Sequence, residues 1–409
     1  MERTLIEGYE WMLDGERRVL ESITTEELAG LLRKLVRTVS INPPGDCREV
    51  CRACAEEFEK SDIPFTTLAA KEELPCLIAR LEGKNPSPVL LFNAHMDTVP
   101  AGDLERWSHY PFGADVEQDR LYGRGAGDDK ASIVAQIGAA KAIKRAGVRL
   151  GGTLLVSPVA DEEAGGFLGT HWLKETGYLK PDWVVIGEQT NNQVAICERI
   201  VCRMELTVYG RSAHGAQPWH GENAIVDMAR AIMAIEERLV PAIGKKKHGF
   251  LPPSSLSIGT IQGGIRVNMV PDCCKIAIDR RMHPGETPET VERELKELLD
   301  TISSGSQPLK YNLMVQGFGT GSVSTNPKHE LIKTMQKAVV DVAGQDRVLI
   351  GYSQGSDGRH FSQEGVPVAI FGPGDPCLAH AANEYVSLHQ VVEAAQVLAL
   401  TALRMLGSI

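Results

Sequence analysis

The chain has 409 residues, 43% of them hydrophobic, 23% charged and 5% aromatic. That is enough for two domains, or three at about 100–200 residues each, and it excludes small disulfide-stapled, disordered and fibrous proteins. The 43 Lys and Arg against 53 Asp and Glu leave a net charge of −10, which argues against general affinity for nucleic acid or anionic membrane and leaves acidic side chains for bound cations.

Met1–Glu10 has three glutamates and no apolar stretch, so it does not read as a signal peptide, and no window approaches the roughly 18 apolar residues of a membrane span. The nine cysteines are odd in number and scattered, which predicts reduced thiols and a cytoplasmic protein. A helix is predicted from Thr24, where Thr24 and Glu27 have capping-box spacing and Leu28, Leu31, Leu32, Leu35, Val36 and Val39 follow at helical period. Asn42-Pro43-Pro44-Gly45 ends it. Cys47, Cys51 and Cys54 come next at i, i+4 and i+7. With no fourth ligand nearby, they read as one buried helical face rather than a metal site.

Short apolar runs then end in polar residues: Pro88 to Ala94 before His95, Thr153 to Ala160 before Asp161, Trp183 to Gly187 before Glu188, and Val366 to Phe371 before Gly372. With helical stretches such as Lys130 to Ala146 between them, the pattern predicts an α/β fold, a mostly parallel sheet covered by helices with ligands at the carboxyl ends of its strands. The 40 glycines suit the tight connections of such a fold. The middle reads differently: strands at Arg203–Gly210, Leu256–Gln262 and Cys274–Arg280 and helices at Asn223–Val240 and Thr287–Ile302 predict an inserted α+β domain of roughly 110 residues. The expected division is 1–202 and 316–409 for the catalytic domain and 203–315 for the insertion, with a closing helix at Val391–Met405.

Five places carry chemistry. His95 and Asp97 share a side of an extended segment, so a carboxylate can orient an imidazole, although an incidental surface pair has the same spelling. Leu121–Lys130, LYGRGAGDDK, is glycine-rich but ends in two aspartates that would repel phosphate. Asp128 is therefore either a helix cap or a ligand. Asp161-Glu162-Glu163 is either a solvated acidic run or a ligand beside a general base. Glu188 and His380 add a carboxylate and an imidazole, and two histidines with three carboxylates suit zinc, cobalt or manganese.

These motifs, in this order, resemble the dinuclear zinc amidohydrolases typified by acetylornithine deacetylase, succinyl-diaminopimelate desuccinylase, aminoacylase and glutamate carboxypeptidase. The resemblance is carried by NAHMDTVP (Asn93–Pro100), WSHYPF (Trp107–Phe112), LYGRGAGDDK, DEEAGG (Asp161–Gly166), VIGEQT (Val185–Thr190), GRSAHGAQP (Gly210–Pro218), VNMVPD (Val267–Asp272), DRRMHPGE (Asp279–Glu286), SQGSDGRHF (Ser353–Phe361) and HAANEYV (His380–Val386). It implies two zinc ions per chain, replaceable by cobalt or manganese, one held by His95, Asp128 and Glu188 and the other by Asp128, Glu163 and His380. It further implies Asp97 as the residue orienting His95, Glu162 as general base, and His214 as an oxyanion donor reaching into the partner of a homodimer formed through the inserted domain. Asn268, Arg281, Gly355 and Ser356, with Asp357, are implied to hold the substrate's carboxylate end. The expected activity is cleavage of an amide bond in a small N-acyl amino acid, or in a dipeptide if the protein is a dipeptidase or carboxypeptidase. A catalytically silent metal-binding homologue is the remaining alternative, and Glu162 speaks against it, since metal binding alone does not need a general base.

Overall fold

In a computed structural model, residues 12–304, 307–317 and 321–407 are described; the reading of Met1–Glu10 lies outside them. The described residues form two compact units. One comprises the chain up to Cys197, Val323–Tyr352 and the chain from Ser356; the other comprises Glu198–Ser322 with Ser353–Gly355.

The first unit is built on an eight-stranded sheet in the order Phe65–Ala69, Pro75–Leu81, Thr153–Val159, Val89–His95, Trp183–Ile186, Val368–Ile370, Ala195–Glu198 and Ile350–Tyr352. The four strands Thr153–Val159, Val89–His95, Trp183–Ile186 and Val368–Ile370 are mutually parallel. Antiparallel neighbours extend them on both sides, an arrangement the apolar runs did not disclose because a buried strand reads the same in either direction. Every residue of Thr153–Val159 is buried, as a strand covered on both faces requires.

Helix Lys130–Arg145 lies against Val89–His95 and Thr153–Val159 and against the C-terminal helix Leu388–Leu406. It is buried nearly all round, so its polar groups need internal partners. Gln136 Nε2 donates to the Asn93 carbonyl at 3.0 Å, and Lys141 Nζ pairs with Glu57 at 2.6 Å and Glu27 at 2.7 Å. Thr24 caps helix Thr25–Arg37 by accepting the Glu27 N–H. A preceding helix, Asp14–Glu21, was missed because Val19 and Leu20 are its only large apolar residues, too few to write a helical period. Cys47, Cys51 and Cys54 are core residues as expected.

The second unit carries a four-stranded antiparallel sheet in the order Ser255–Gly263, Cys273–Met282, Ile200–Tyr209 and Tyr311–Gly317. Helices Ala224–Ala234 and Pro288–Leu299 bury Met228, Ala231, Leu295 and Leu299 with Cys202, Leu206, Ile276 and Ile278. The opposite face of Cys273–Met282 stays open at alternate residues, the period-two signature of a sheet packed on one side. The predicted helix from Asn223 runs on as a π turn at Ile235–Leu239 and ends at Ile243.

Candidate metal centre and active site

Five of the singled-out residues meet at the carboxyl edge of the parallel strands. His95 is the last residue of its strand, Glu188 and Asp161 follow the next two strands after one intervening residue, and Asp128 precedes helix Lys130–Arg145. Gly187 permits the close approach, since a Cβ there would lie 2.5 Å from the Ser132 Cβ of that helix. His380 arrives through a small sheet in which Tyr385–Ser387 pairs with Arg120–Tyr122, laying the HAANEYV segment beside the glycine-rich loop. Both Asp161 (φ 76°) and His380 (φ 61°) hold left-handed backbone conformations, the kind of local strain that persists where surrounding contacts demand it.

Asp128 stands at the centre. Its Oδ1 is 3.1 Å from His95 Nε2 and its Oδ2 is 3.3 Å from His380 Nε2, which is itself 3.3 Å from Glu163 Oε1. The side chain therefore faces two imidazoles and does not cap the helix, where Asp129 is the N-cap residue and makes no side-chain cap bond. Two triads result, His95, Asp128 and Glu188, and Asp128, Glu163 and His380, each with ligand atoms within 4.8 Å of one another.

Asp97 differs in detail from the sequence reading. The strand ends at His95, so the chain turns, and His95 Nδ1 meets the backbone carbonyl of Asp97 at 2.9 Å while its carboxylate lies 3.7 Å away. An Nδ1–H donating to that carbonyl leaves the Nε2 lone pair facing Asp128, as a ligand needs. The Asp97 carboxylate instead accepts Asn42 Nδ2 at 2.8 Å and the N–H groups of Glu162 and Glu163 at 3.2 Å each.

The electrostatics ask for cations. Burial pushes Glu162 and Glu188 well above the ordinary carboxylate range, with Asp357 adding to the first and Asp128 to the second. Burial alone would raise Asp128 as well, but His380 and His95 outweigh it and hold it far below that range. In return Asp128 and Glu163 hold the His380 proton up to about pH 10. Two divalent cations would relieve the crowding of anions and would replace the protons on the imidazoles, so the donor set fits a dinuclear site.

Four contributors had no separate signal in the sequence. Buried Glu384 accepts the N–H groups of Gly125, Gly127 and Asp128 at 3.1, 2.9 and 3.0 Å and pairs with buried Arg124. Tyr352 Oη donates to Glu188 Oε2 at 2.8 Å. Arg359 Nη1 stands 3.8 Å from Glu162 Oε1. Glu384, Arg124 and Arg359 do lie within the recognised motifs, so their neighbours were the available clue.

The remaining expected residues are divided between the two units. Ser356 and Asp357 are buried in the first unit, and Gly355 groups with the second. Within the second unit, Ala213–His214 pairs with Met269–Val270, and the Gly215 N–H reaches the Asn268 carbonyl at 2.9 Å, so exposed His214 and Asn268 share one ribbon. Arg281 lies on the open sheet face, paired with Asp279 at 2.7 Å.

Known proteins agree with this architecture. The chain is 30% identical over 354 residues to a succinyl-diaminopimelate desuccinylase of Marinobacter nauticus, covering 84% of this chain and 89% of that one. A Staphylococcus aureus tripeptidase has the same fold with a TM-score of 0.76 at 22% identity, covering 93% of this chain and 99% of that one. So has a Bacillus subtilis protein described as a dinuclear metal-binding peptidase, with a TM-score of 0.70 at 17% identity over 94% of this chain and 99% of that one. The profile of Peptidase family M20/M25/M40 matches residues 91–404, and by that match and the desuccinylase likeness the chain belongs to this family.

Proposed function

We propose that the protein is a metal-dependent hydrolase that releases the acyl group from an N-acylated amino acid. The observation that carries this reading is the placement of Asp128, one carboxylate oxygen toward each of two histidines, beside a further, largely buried acid, Glu162. His95, Asp128 and Glu188 would hold one ion and Asp128, Glu163 and His380 the other, with zinc best matched to the set and cobalt or manganese able to replace it. Such ions polarise the scissile carbonyl and acidify a water at neutral pH.

The chain's own groups supply the rest. Glu162 takes a proton from the attacking water and delivers it to the leaving nitrogen, which suits a carboxyl whose burial favours the protonated form. His214 accepts the Ala216 N–H at Nδ1, 3.1 Å away, so its proton sits on Nε2 and that edge is a donor for a developing oxyanion. Asn268, Arg281, Gly355 and Ser356 bind the substrate's carboxylate end, for which the planar guanidinium of Arg281 gives bidentate recognition.

The middle segment, residues 203–315, acts as lid and dimerisation domain, so that His214 serves the partner's site. The strand Ser255–Gly263 is an edge strand among the described residues, and Ile261, Ile265, Val267 and Met269 on and after it are exposed, a combination that favours pairing with a second copy. No helix among the described residues is long and apolar enough to cross a membrane, and a cytoplasmic location is the companion proposal.

A peptidase reading of the same site is kept open by the tripeptidase likeness, since any amide presented to it correctly would be cleaved. Zinc-loaded protein assayed against N-succinyl and N-acetyl amino acids and against dipeptides decides. Turnover of acyl amino acids at kcat/KM at least about tenfold above dipeptides, a difference of roughly 1.4 kcal/mol, supports the deacylase; the reverse ranking supports the peptidase, and metal uptake without turnover on any of them leaves a binding protein.

A further inference from the structure

The turn that carries Glu162 and Glu163 is gripped from two sides. On one side Asp97 accepts both of their N–H groups. On the other, Arg359 Nη2 donates to the Gly165 carbonyl at 2.8 Å while its Nη1 donates to the Ser356 carbonyl at 2.9 Å. Held by two carbonyls, the guanidinium has little freedom to turn, and the same Nη1 lies 3.8 Å from Glu162 Oε1. Arg359 is largely buried, at 12% side-chain exposure, and its Nε has no hydrogen-bond partner among the described residues. Asp357 lies on its other flank at 3.7 Å. The turn can come this close only because residue 166 is glycine, with φ +70° and a Cβ position 2.0 Å from Asp357 Oδ1.

We propose that Arg359 is a positioning residue for Glu162: its fixed positive charge holds the Glu162 carboxylate in the orientation from which it transfers protons, while its second edge fixes the backbone of the same turn. This rests on the reading of Glu162 as the general base. It also gives a reason for arginine here, because an ammonium keeps the positive charge near the carboxylate but lacks the planar fork that holds two carbonyls at once. A base free to rotate spends less time in the productive geometry, so the loss should fall on turnover and spare substrate binding.

The experiment compares Arg359→Met, Arg359→Lys, Glu162→Gln and the double variant Arg359→Met/Glu162→Gln, all zinc-loaded, with metal content and thermal melting recorded for each. Arg359→Met should lower kcat about 10- to 100-fold with KM changed less than about threefold and two metals retained, whereas Arg359→Lys should lose only a few-fold. In the Glu162→Gln background the Arg359→Met change should cost less than about twofold more, since there is no base left to position. Near-normal kcat for Arg359→Met, a rise confined to KM, or a full further loss in the double variant would overturn the proposal. If Arg359→Met does not fold, the same cycle is run with Arg359→Lys, and additive losses there count against it. Full activity of Glu162→Gln would instead sink the general-base reading, a result separate from any Arg359 variant.

Discussion

Asp97 touches Glu162 and Glu163 through their backbones, one oxygen to the Glu162 N–H and the other to the Glu163 N–H, each at 3.2 Å. A single buried acid thereby fixes both the proposed base and a proposed ligand, besides offering its carbonyl to His95. Asp97→Ala should therefore damage more than one function. We expect kcat to fall at least about 10²-fold and the affinity for metal to fall about 10- to 100-fold, the usual cost of losing an outer partner of a ligand. Steady-state kinetics with metal titration check it; an effect on metal affinity alone would show that the turn keeps its shape without the carboxylate.

The two triads share Asp128 but not Tyr352. Asp128→Ala should reduce metal content from two ions per chain toward none, because both sets lose a member. Tyr352→Phe removes only the hydroxyl that donates to Glu188, and should weaken one ion about 10- to 100-fold while leaving the other. Competition with a chelator, followed by elemental analysis, separates a one-site from a two-site loss.

Metal uptake should be coupled to protons. His380 in the cation-free protein keeps its proton up to about pH 10, raised by Asp128 and Glu163, whereas a ligand imidazole must be neutral. At pH 7 that proton is bound and has to leave, so loading should release protons and apparent affinity should rise with pH until about pH 10. The sign for the cation-free fold is opposite: a raised imidazole pKa contributes stability that is complete below its unfolded value near 6.5 and is lost as pH rises through about 10. Calorimetric titration of zinc in buffers of different ionisation enthalpy measures the release; a buffer-independent heat would contradict it.

The dimer has its own test in mixed subunits. An inactive Glu162→Ala chain paired with an inactive His214→Ala chain should regain about half of the wild-type activity if His214 serves the partner, since one of the two sites is then complete. Purified heterodimers of differently tagged chains give the answer. No recovery would place His214 in its own chain's site, and a fully active monomer would remove the need for a partner altogether.

What the sequence disclosed and what it hid follow from the range of the forces involved. Helices such as Thr25–Arg37 and Leu388–Leu406 and the buried strands ahead of His95, Asp161 and Glu188 were legible because burial writes a period into neighbouring residues. The strands Phe65–Ala69 and Pro75–Leu81 were not, the former being a mostly exposed edge strand and so without that pattern. Ligand types were readable from His95, Asp128 and His380, yet nothing local tells whether Asp128 caps a helix or faces two imidazoles, because the choice is made by His380, 252 positions later in the numbering. Glu384, Tyr352 and Arg359 act only through partners brought from other parts of the chain, and residue type alone does not announce such contacts.

Glu384 has one more consequence. By collecting three N–H groups of the loop, those of Gly125, Gly127 and Asp128, and the Arg124 guanidinium, it fixes the Asp128 loop with groups that belong entirely to the protein. Domains whose architecture depends on zinc unfold when stripped of it. Here the cradle does not depend on its cargo, so demetallation should be a reversible extraction: the empty enzyme should keep its melting behaviour largely intact and regain activity on mixing with zinc at the speed of ion binding, with no refolding lag.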